Sequence, residues 1–137
     1  MKPEIRKITS EDTLEIRHKV MWPQKALDYV RVPNDDEGEH FGLFVNDKMI
    51  AVISVFVKNN EAQFRKFATF NDYQGQGFGT LLLKSIIEKA KKDNLNKLWC
   101  NARLDKSKFY EKFGFTETDK QFEKCGVSFV IMEKMLN

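Results

Sequence analysis

Hydrophobic and polar positions change rhythm several times along the chain. Ile5, Arg6, Lys7 and Ile8 alternate as in a short strand, and Thr9-Ser10-Glu11-Asp12 then supply a cap and acidic first turn for a helix. Leu14, Ile16, Val20 and Met21 form its apolar side. Pro23 and Pro33 interrupt the next stretch, leaving room for a short helix near 25–30 and an acidic loop over 34–39. From Phe41 the rhythm is that of strands: 41–45, 49–57 and 62–69, separated by Asn46-Asp47 and Lys58-Asn59-Asn60, predict a three-stranded antiparallel meander. Leu82, Leu83, Ile86, Ile87 and Ala90 then recur at helical spacing, opposite Lys84, Ser85, Glu88 and Lys89. Beyond Asp93-Asn94 come a strand at 98–100, a short helix over 106–113 closed by Gly114, and strands over 115–122 and 127–133. The last of these reads as an edge strand, paired with a partner or free.

The predicted order is β-α-α-β-β-β-α-β-α-β-β, a mixed α/β sheet. A crossover helix between 62–69 and 98–100 should make those strands parallel neighbours or near neighbours. With 137 residues, the chain suits one domain, 1–137.

Composition narrows the function classes. Apolar residues make up 42% and charged residues 31%, with twelve Phe to fill an interior, as in a soluble globular domain. The 23 basic and 20 acidic residues are interspersed, so a net charge of +3 gives no case for nucleic acid. Residues 1–20 are charged throughout, unlike a signal peptide, and no stretch is long enough to span a membrane. Cys100 and Cys125 lack metal-ligand spacing, and His18 and His40 are far apart, which predicts no metal and a reducing, cytoplasmic setting.

Candidate chemistry centres on Gln74-Gly75-Gln76-Gly77-Phe78-Gly79-Thr80, three alternating glycines running into the apolar helix. A helix start carries unpaired N–H groups and the positive end of the helix dipole, so anions bind there. Glycines lack a Cβ to obstruct a diphosphate and accept the positive φ that turns several N–H groups toward one point. No Lys-Ser/Thr follows Gly79, as a P-loop needs, and the Gly-x-Gly-x-Gly spacing past mid-chain does not fit a dinucleotide-binding turn. A plain glycine turn is the alternative.

These residues resemble the signature of the GNAT superfamily of acyl-CoA-dependent N-acetyltransferases: Gln or Arg, two residues, Gly, any residue, then Gly or Ala, met by Gln74, Gly77 and Gly79. A second family feature is the run Phe109-Tyr110-Glu111-Lys112-Phe113-Gly114-Phe115. The chain looks like small bacterial members, whose final strand is expected to carry Pro-His where Ser128-Phe129 stands here. The resemblance implies a GNAT-like fold whose central strands splay apart around acetyl-CoA. It implies that N–H groups of Gln76, Gly77, Phe78, Gly79 and Thr80 meet the diphosphate, with Gln74 and Gly75 in the same loop. The backbone of Phe67, Ala68 and Thr69 would pair with the pantetheine arm as an added strand, and an N–H there would hold the thioester carbonyl. Lys108, with Lys106, Lys112 and Arg103, would lie near the cofactor's far end, or simply form a solvated helix face.

Acetyl transfer to an amine poses two proton problems, since a lysine-like amine titrates near ~10.4 and a cysteine-like thiol near ~8.5. Tyr110 matches the family tyrosine that protonates the leaving thiolate, so the resemblance makes it the general acid as well as a cofactor contact. The strand 62–69 has no carboxylate in its middle. His40, beside Asp35, Asp36, Glu37 and Glu39, is the candidate base, or else a surface histidine at a strand edge. Cys100 lies beside the expected thioester, but no histidine is placed in sequence to activate it, which favours direct transfer. The expected activity is acetylation of a primary amine on a small molecule or peptide. The alternative is a non-catalytic acyl-CoA-binding module, which would not need Tyr110. No nucleic-acid or membrane partner is expected, and a monomer and a homodimer both remain open.

Overall fold

A computed structural model describes residues 2–136. Seven strands form one mixed sheet: β1 (Glu4–Ile8), β2 (Glu39–Val45), β3 (Lys48–Lys58), β4 (Glu61–Thr69), β5 (Lys97–Arg103), β6 (Thr116–Lys124) and β7 (Val127–Met135). Their spatial order is β1-β2-β3-β4-β5-β7-β6. The chain divides into two compact units, Met1–Phe56 with Arg65–Ile86, and Val57–Phe64 with Ile87–Asn137.

In the first unit β1, β2 and β3 run antiparallel, with Ile8 opposite His40 and His40 opposite Ser54. Asn46 and Asp47 both adopt left-handed φ, 51° and 63°, as a two-residue hairpin whose twist matches its strands requires. The predicted first helix is an irregular segment: a 3-10 turn at Glu11–Thr13, the single α turn α1 (Leu14–Ile16), then a wider π turn at Arg17–Met21. The second predicted helix shrinks to a 3-10 turn, Leu27–Val30. Between Pro23 and Pro33 the chain forms this single turn and no α-helix. Ile16, Val52 and Ala68 are buried together, with Ile8, Val20, Met21, Met49 and Phe70 packed around them.

In the second unit Asn59 and Asn60 form another left-handed pair at the β3 to β4 turn. The parallel ladder of β4 with β5 comprises Glu61–Gln63 opposite Lys97–Trp99, as the crossover predicts. Helix α2 (Phe78–Lys92), of which residues 78–86 belong to the first unit, buries Leu82, Leu83, Ile86, Ile87 and Ala90, and the chain turns after it at left-handed Asn94. Beyond it, helix α3 (Ser107–Glu111) closes at Gly114, φ 90°. β7 lies between β5 and β6, so 127–133 is not the edge. The edge is β6, which is polar on both faces apart from Phe122; charges along an unpaired edge deter other strands from adding. Among the described residues no helix is long and apolar enough to cross a membrane, and no group of three or more His, Cys, Asp or Glu is placed to hold a metal ion.

Candidate active site

The glycine loop joins β4 to α2 with its backbone exposed. Gly75 and Gly77 have φ of 76° and 87°, and a Cβ built on either meets nothing within 4 Å. These glycines are therefore required by backbone conformation, while the space beside them is open. The first N–H of the loop and helix to find an acceptor is that of Leu81, which donates to the Gly77 carbonyl at 3.1 Å. The six N–H groups from Gly75 to Thr80 have no hydrogen-bond acceptor among the described residues. Side chains brace the loop from below: the Gln74 amide donates to the Thr69 carbonyl at 2.9 Å and to Asn71 Oδ1 at 3.0 Å, and the Gln76 amide donates to the Asp72 carbonyl at 3.1 Å. The signature glutamine is thus spent on holding the loop to the end of its strand.

Within β4, Lys66 takes a left-handed φ of 55°. Next to it the Phe67 ring faces α2, where a Cβ at Gly79 would stand 3.4 Å from it, and Ala68 is buried with Ile16 and Val52. A left-handed lysine costs about 1–2 kcal/mol and marks this strand as locally strained.

Below the first unit's strands lies a buried polar cluster that only partly follows from the sequence. Arg17 is fully buried. Its guanidinium donates to both oxygens of Asp35 at 2.8 and 2.9 Å, to the Val30 carbonyl at 3.0 Å and to the Ser54 hydroxyl at 3.0 Å. Burial pushes the Asp35 carboxyl upward, but the hydrogen bonds from Arg17 and the Val32 N–H, with the Arg17 charge, outweigh it and hold the group below the usual carboxylate range. His40 is 4% exposed, inside the sheet and not at a surface edge. Its Nε2 lies 2.8 Å from the Asp35 carbonyl and its Nδ1 2.7 Å from the Ser54 hydroxyl. A carbonyl only accepts, so Nε2 carries the hydrogen, and Nδ1 is paired with the Ser54 hydroxyl. Both ring nitrogens are then engaged, and no lone pair is left over for an incoming amine. Arg17, Asp35 and Ser54 were not singled out in sequence. The signal was there in part, since Arg17 falls three residues after Leu14 and three before Val20, within the apolar stripe.

In the second unit Tyr110 lies on α3, its ring 5.8 Å from Phe64, 5.2 Å from Phe109 and 6.1 Å from Phe115. Its hydroxyl makes no hydrogen bond among the described residues. Burial, with a smaller contribution from Cys100, raises its pKa above the ordinary phenol value, so it keeps its proton across the neutral range. Burial likewise pushes the Cys100 thiol up to about 12. A thiol held protonated is a poor nucleophile, which weighs against acyl transfer through it. Lys106, Lys108 and Lys112 are exposed on and around α3, and Arg103 is half-buried at the end of β5.

Comparison with known proteins agrees with this geometry. Residues 6–136 match the family described as Acetyltransferase (GNAT) domain. The chain belongs to the GNAT acetyltransferases, an enzyme family of acyltransferases. It is 29% identical over 143 residues to the uncharacterised N-acetyltransferase YitI of Bacillus subtilis, covering 97% of this chain and 96% of that one. It is 33% identical over 107 residues to the ribosomal protein bS18-alanine N-acetyltransferase of Haemophilus influenzae, covering 74% and 69%. A GNAT family acetyltransferase of Elizabethkingia anophelis, solved with acetyl-CoA bound, shares the fold at a TM-score of 0.76 over 98% of each chain, with 21% identity.

Proposed function

We propose that the protein transfers an acetyl group from acetyl-CoA to a primary amine by direct attack on the thioester, with both units serving one acetyltransferase domain over 1–137. The observation that carries this is the run of six unpaired N–H groups from Gly75 to Thr80, on exposed residues at 75–77 and half-buried ones at 78–80, at the positive end of a 15-residue helix. Open space where a Cβ would stand at Gly75 and Gly77 fits a diphosphate approaching the backbone. When bound, acetyl-CoA supplies an activated acyl group on a thiol leaving group. The chain's own part is to hold the diphosphate with those N–H groups, to offer the backbone of Phe67, Ala68 and Thr69 to the pantetheine arm, and to direct an N–H toward the thioester oxygen. Lys108 adds positive charge for the cofactor's phosphates.

Tyr110 is the general acid in this account: a protonated phenol whose hydroxyl has no other partner is available to hydrogen-bond the departing sulfur. His40 serves to hold Asp35 and Ser54, and the amine gives up its proton to water. The bS18-alanine acetyltransferases act on a protein, so a peptide amine stands beside a small-molecule amine as acceptor.

Two alanine substitutions test the loop. Gly77→Ala places a side chain at φ 87°, which costs about 1–2 kcal/mol of stability and puts a methyl group where the phosphate would lie. Acetyl-CoA affinity measured by calorimetry should fall about tenfold or more. Gly79→Ala has ordinary backbone and a contact of 3.4 Å at closest, and should change both quantities little. Equal, small effects on affinity at the two positions would mean that the loop does not hold the diphosphate.

A further inference from the structure

A cavity of about 380 Å³ opens beside the glycine loop, lined by Val45, Asn46, Lys48, Tyr73, Gln76 and Phe78. All of these residues belong to the first unit. The course of the chain explains the cavity. The Phe70 N–H donates to the Ile50 carbonyl at 2.9 Å, which sets the 3-10 turn Asn71–Tyr73 alongside the start of β3. The Tyr73 ring then stands 6.3 Å from that of Phe78 at an angle of 62°, so the two rings form a corner. Lys48 Nζ lies 5.3 Å from the centre of the Tyr73 ring.

The polar groups of this lining are largely unspent. Lys48 is exposed and makes no ion pair among the described residues. The carboxylate next to it in the chain, Asp47, accepts instead from Arg6 at 2.9 Å. The lining holds no acidic residue, so its charge is that of Lys48. Gln76 is engaged through its amide nitrogen, and neither its Oε1 nor the Tyr73 hydroxyl makes a hydrogen bond among the described residues. The volume falls within the range of about 300–1,000 Å³ that small-molecule sites occupy. Aromatic rings suit a flat base, a side-chain amide such as that of Asn46 can pair with its edge, and a lysine suits a phosphate as a point charge. Gln76 and Phe78 also belong to the run of unpaired N–H groups assigned above to the diphosphate. A group attached to that diphosphate is therefore next to the cavity, and in coenzyme A the attached group is adenosine 3′-phosphate.

Resting on the acetyltransferase reading above, we propose that this cavity is the subsite for the adenosine 3′-phosphate of coenzyme A, with Tyr73 and Phe78 against the purine and Lys48 on the 3′-phosphate. The 3′-phosphate goes to the β2–β3 hairpin and not to the lysines on and around α3.

The test is calorimetric titration of the whole protein with coenzyme A and with 3′-dephospho-coenzyme A at low ionic strength. The parent should bind coenzyme A about tenfold more tightly than the dephospho form. Lys48→Gln should remove that preference by weakening coenzyme A alone, whereas Lys108→Gln should weaken both ligands alike and keep it. A preference kept in Lys48→Gln, missing from the parent or lost in Lys108→Gln would overturn the proposal. With coenzyme A bound, NOEs from adenine H2 and H8 should reach the ring protons of Tyr73 or Phe78. NOEs to Phe109 on α3 instead, or to no aromatic ring, would also overturn it. Because the Lys48 side chain is exposed and unpaired, the melting temperature of Lys48→Gln should stay near the parent value, so a lost preference cannot be ascribed to unfolding. A parent that binds neither ligand would overturn the acetyltransferase reading and the proposal with it, whereas binding without preference overturns the proposal alone.

Discussion

Asp35→Ala should lower stability by about 3–5 kcal/mol, because it leaves the fully buried Arg17 guanidinium without its counter-charge. For a chain of this length that is a fall of about 10–15 °C in melting temperature. The deficit comes from the charge left behind and not from a missing attraction, so removing both charges should recover most of it. Arg17→Met combined with Asp35→Ala is expected to melt close to the parent, and the two single variants well below it. Additive losses in the double variant would show that packing, not the ion pair, dominates. The pH dependence has a definite sign. The folded-state pKa of Asp35 lies below its unfolded value, so its contribution is complete above about pH 4 and is lost as pH falls through the depressed folded value. Urea unfolding of parent and double variant at neutral and acid pH reads this directly, since only the parent should lose stability through this group.

Tyr110→Phe should lower kcat about 100- to 10,000-fold, the range contributed by a well-placed general acid, while acetyl-CoA affinity and melting temperature stay near the parent values. The stability half of this expectation follows from the structure: the hydroxyl has no hydrogen-bond partner to lose, and the ring contacts with Phe64, Phe109 and Phe115 survive in phenylalanine. Because burial raises the tyrosine pKa above its ordinary value, ionisation of Tyr110 should not produce an alkaline fall in kcat below about pH 10. A Phe variant with parental kcat would place Tyr110 in the aromatic core and remove its chemical role.

Much of the fold is local and was legible in the sequence for that reason. Asn46-Asp47 and Asn59-Asn60 supply the left-handed residues a tight hairpin demands, and they fix the meander. The stripe Leu82, Leu83, Ile86, Ile87 and Ala90 settles α2. The glycine loop is a statement about backbone conformation: residue type permits the positive φ found at Gly75 and Gly77, while Gly79 keeps an ordinary φ. The features that required the structure depend on contacts distant in the chain. β7 was read as an edge because order within a sheet is set by long-range pairing. The polar run Thr116–Lys124 beside the more apolar Val127–Met135 was the available clue that β6 lies outside. Arg17 falls within the apolar stripe, but its partners Asp35 and Ser54 lie 18 and 37 positions away, beyond the reach of local pattern. His40 was placed beside an acidic run, but which of Asp35, Asp36, Glu37 and Glu39 turns inward is decided by Arg17.

The account stands on the glycine loop as a site for acetyl-CoA, and thermal unfolding with and without saturating acetyl-CoA tests it most directly, with ATP and NAD as phosphate-bearing controls. At about 100 times its dissociation constant the ligand should add roughly 2.7 kcal/mol, a rise of several degrees that neither control reproduces. No shift, or an equal shift with ATP, would contradict the assignment and reduce the loop to a structural turn or a general phosphate site.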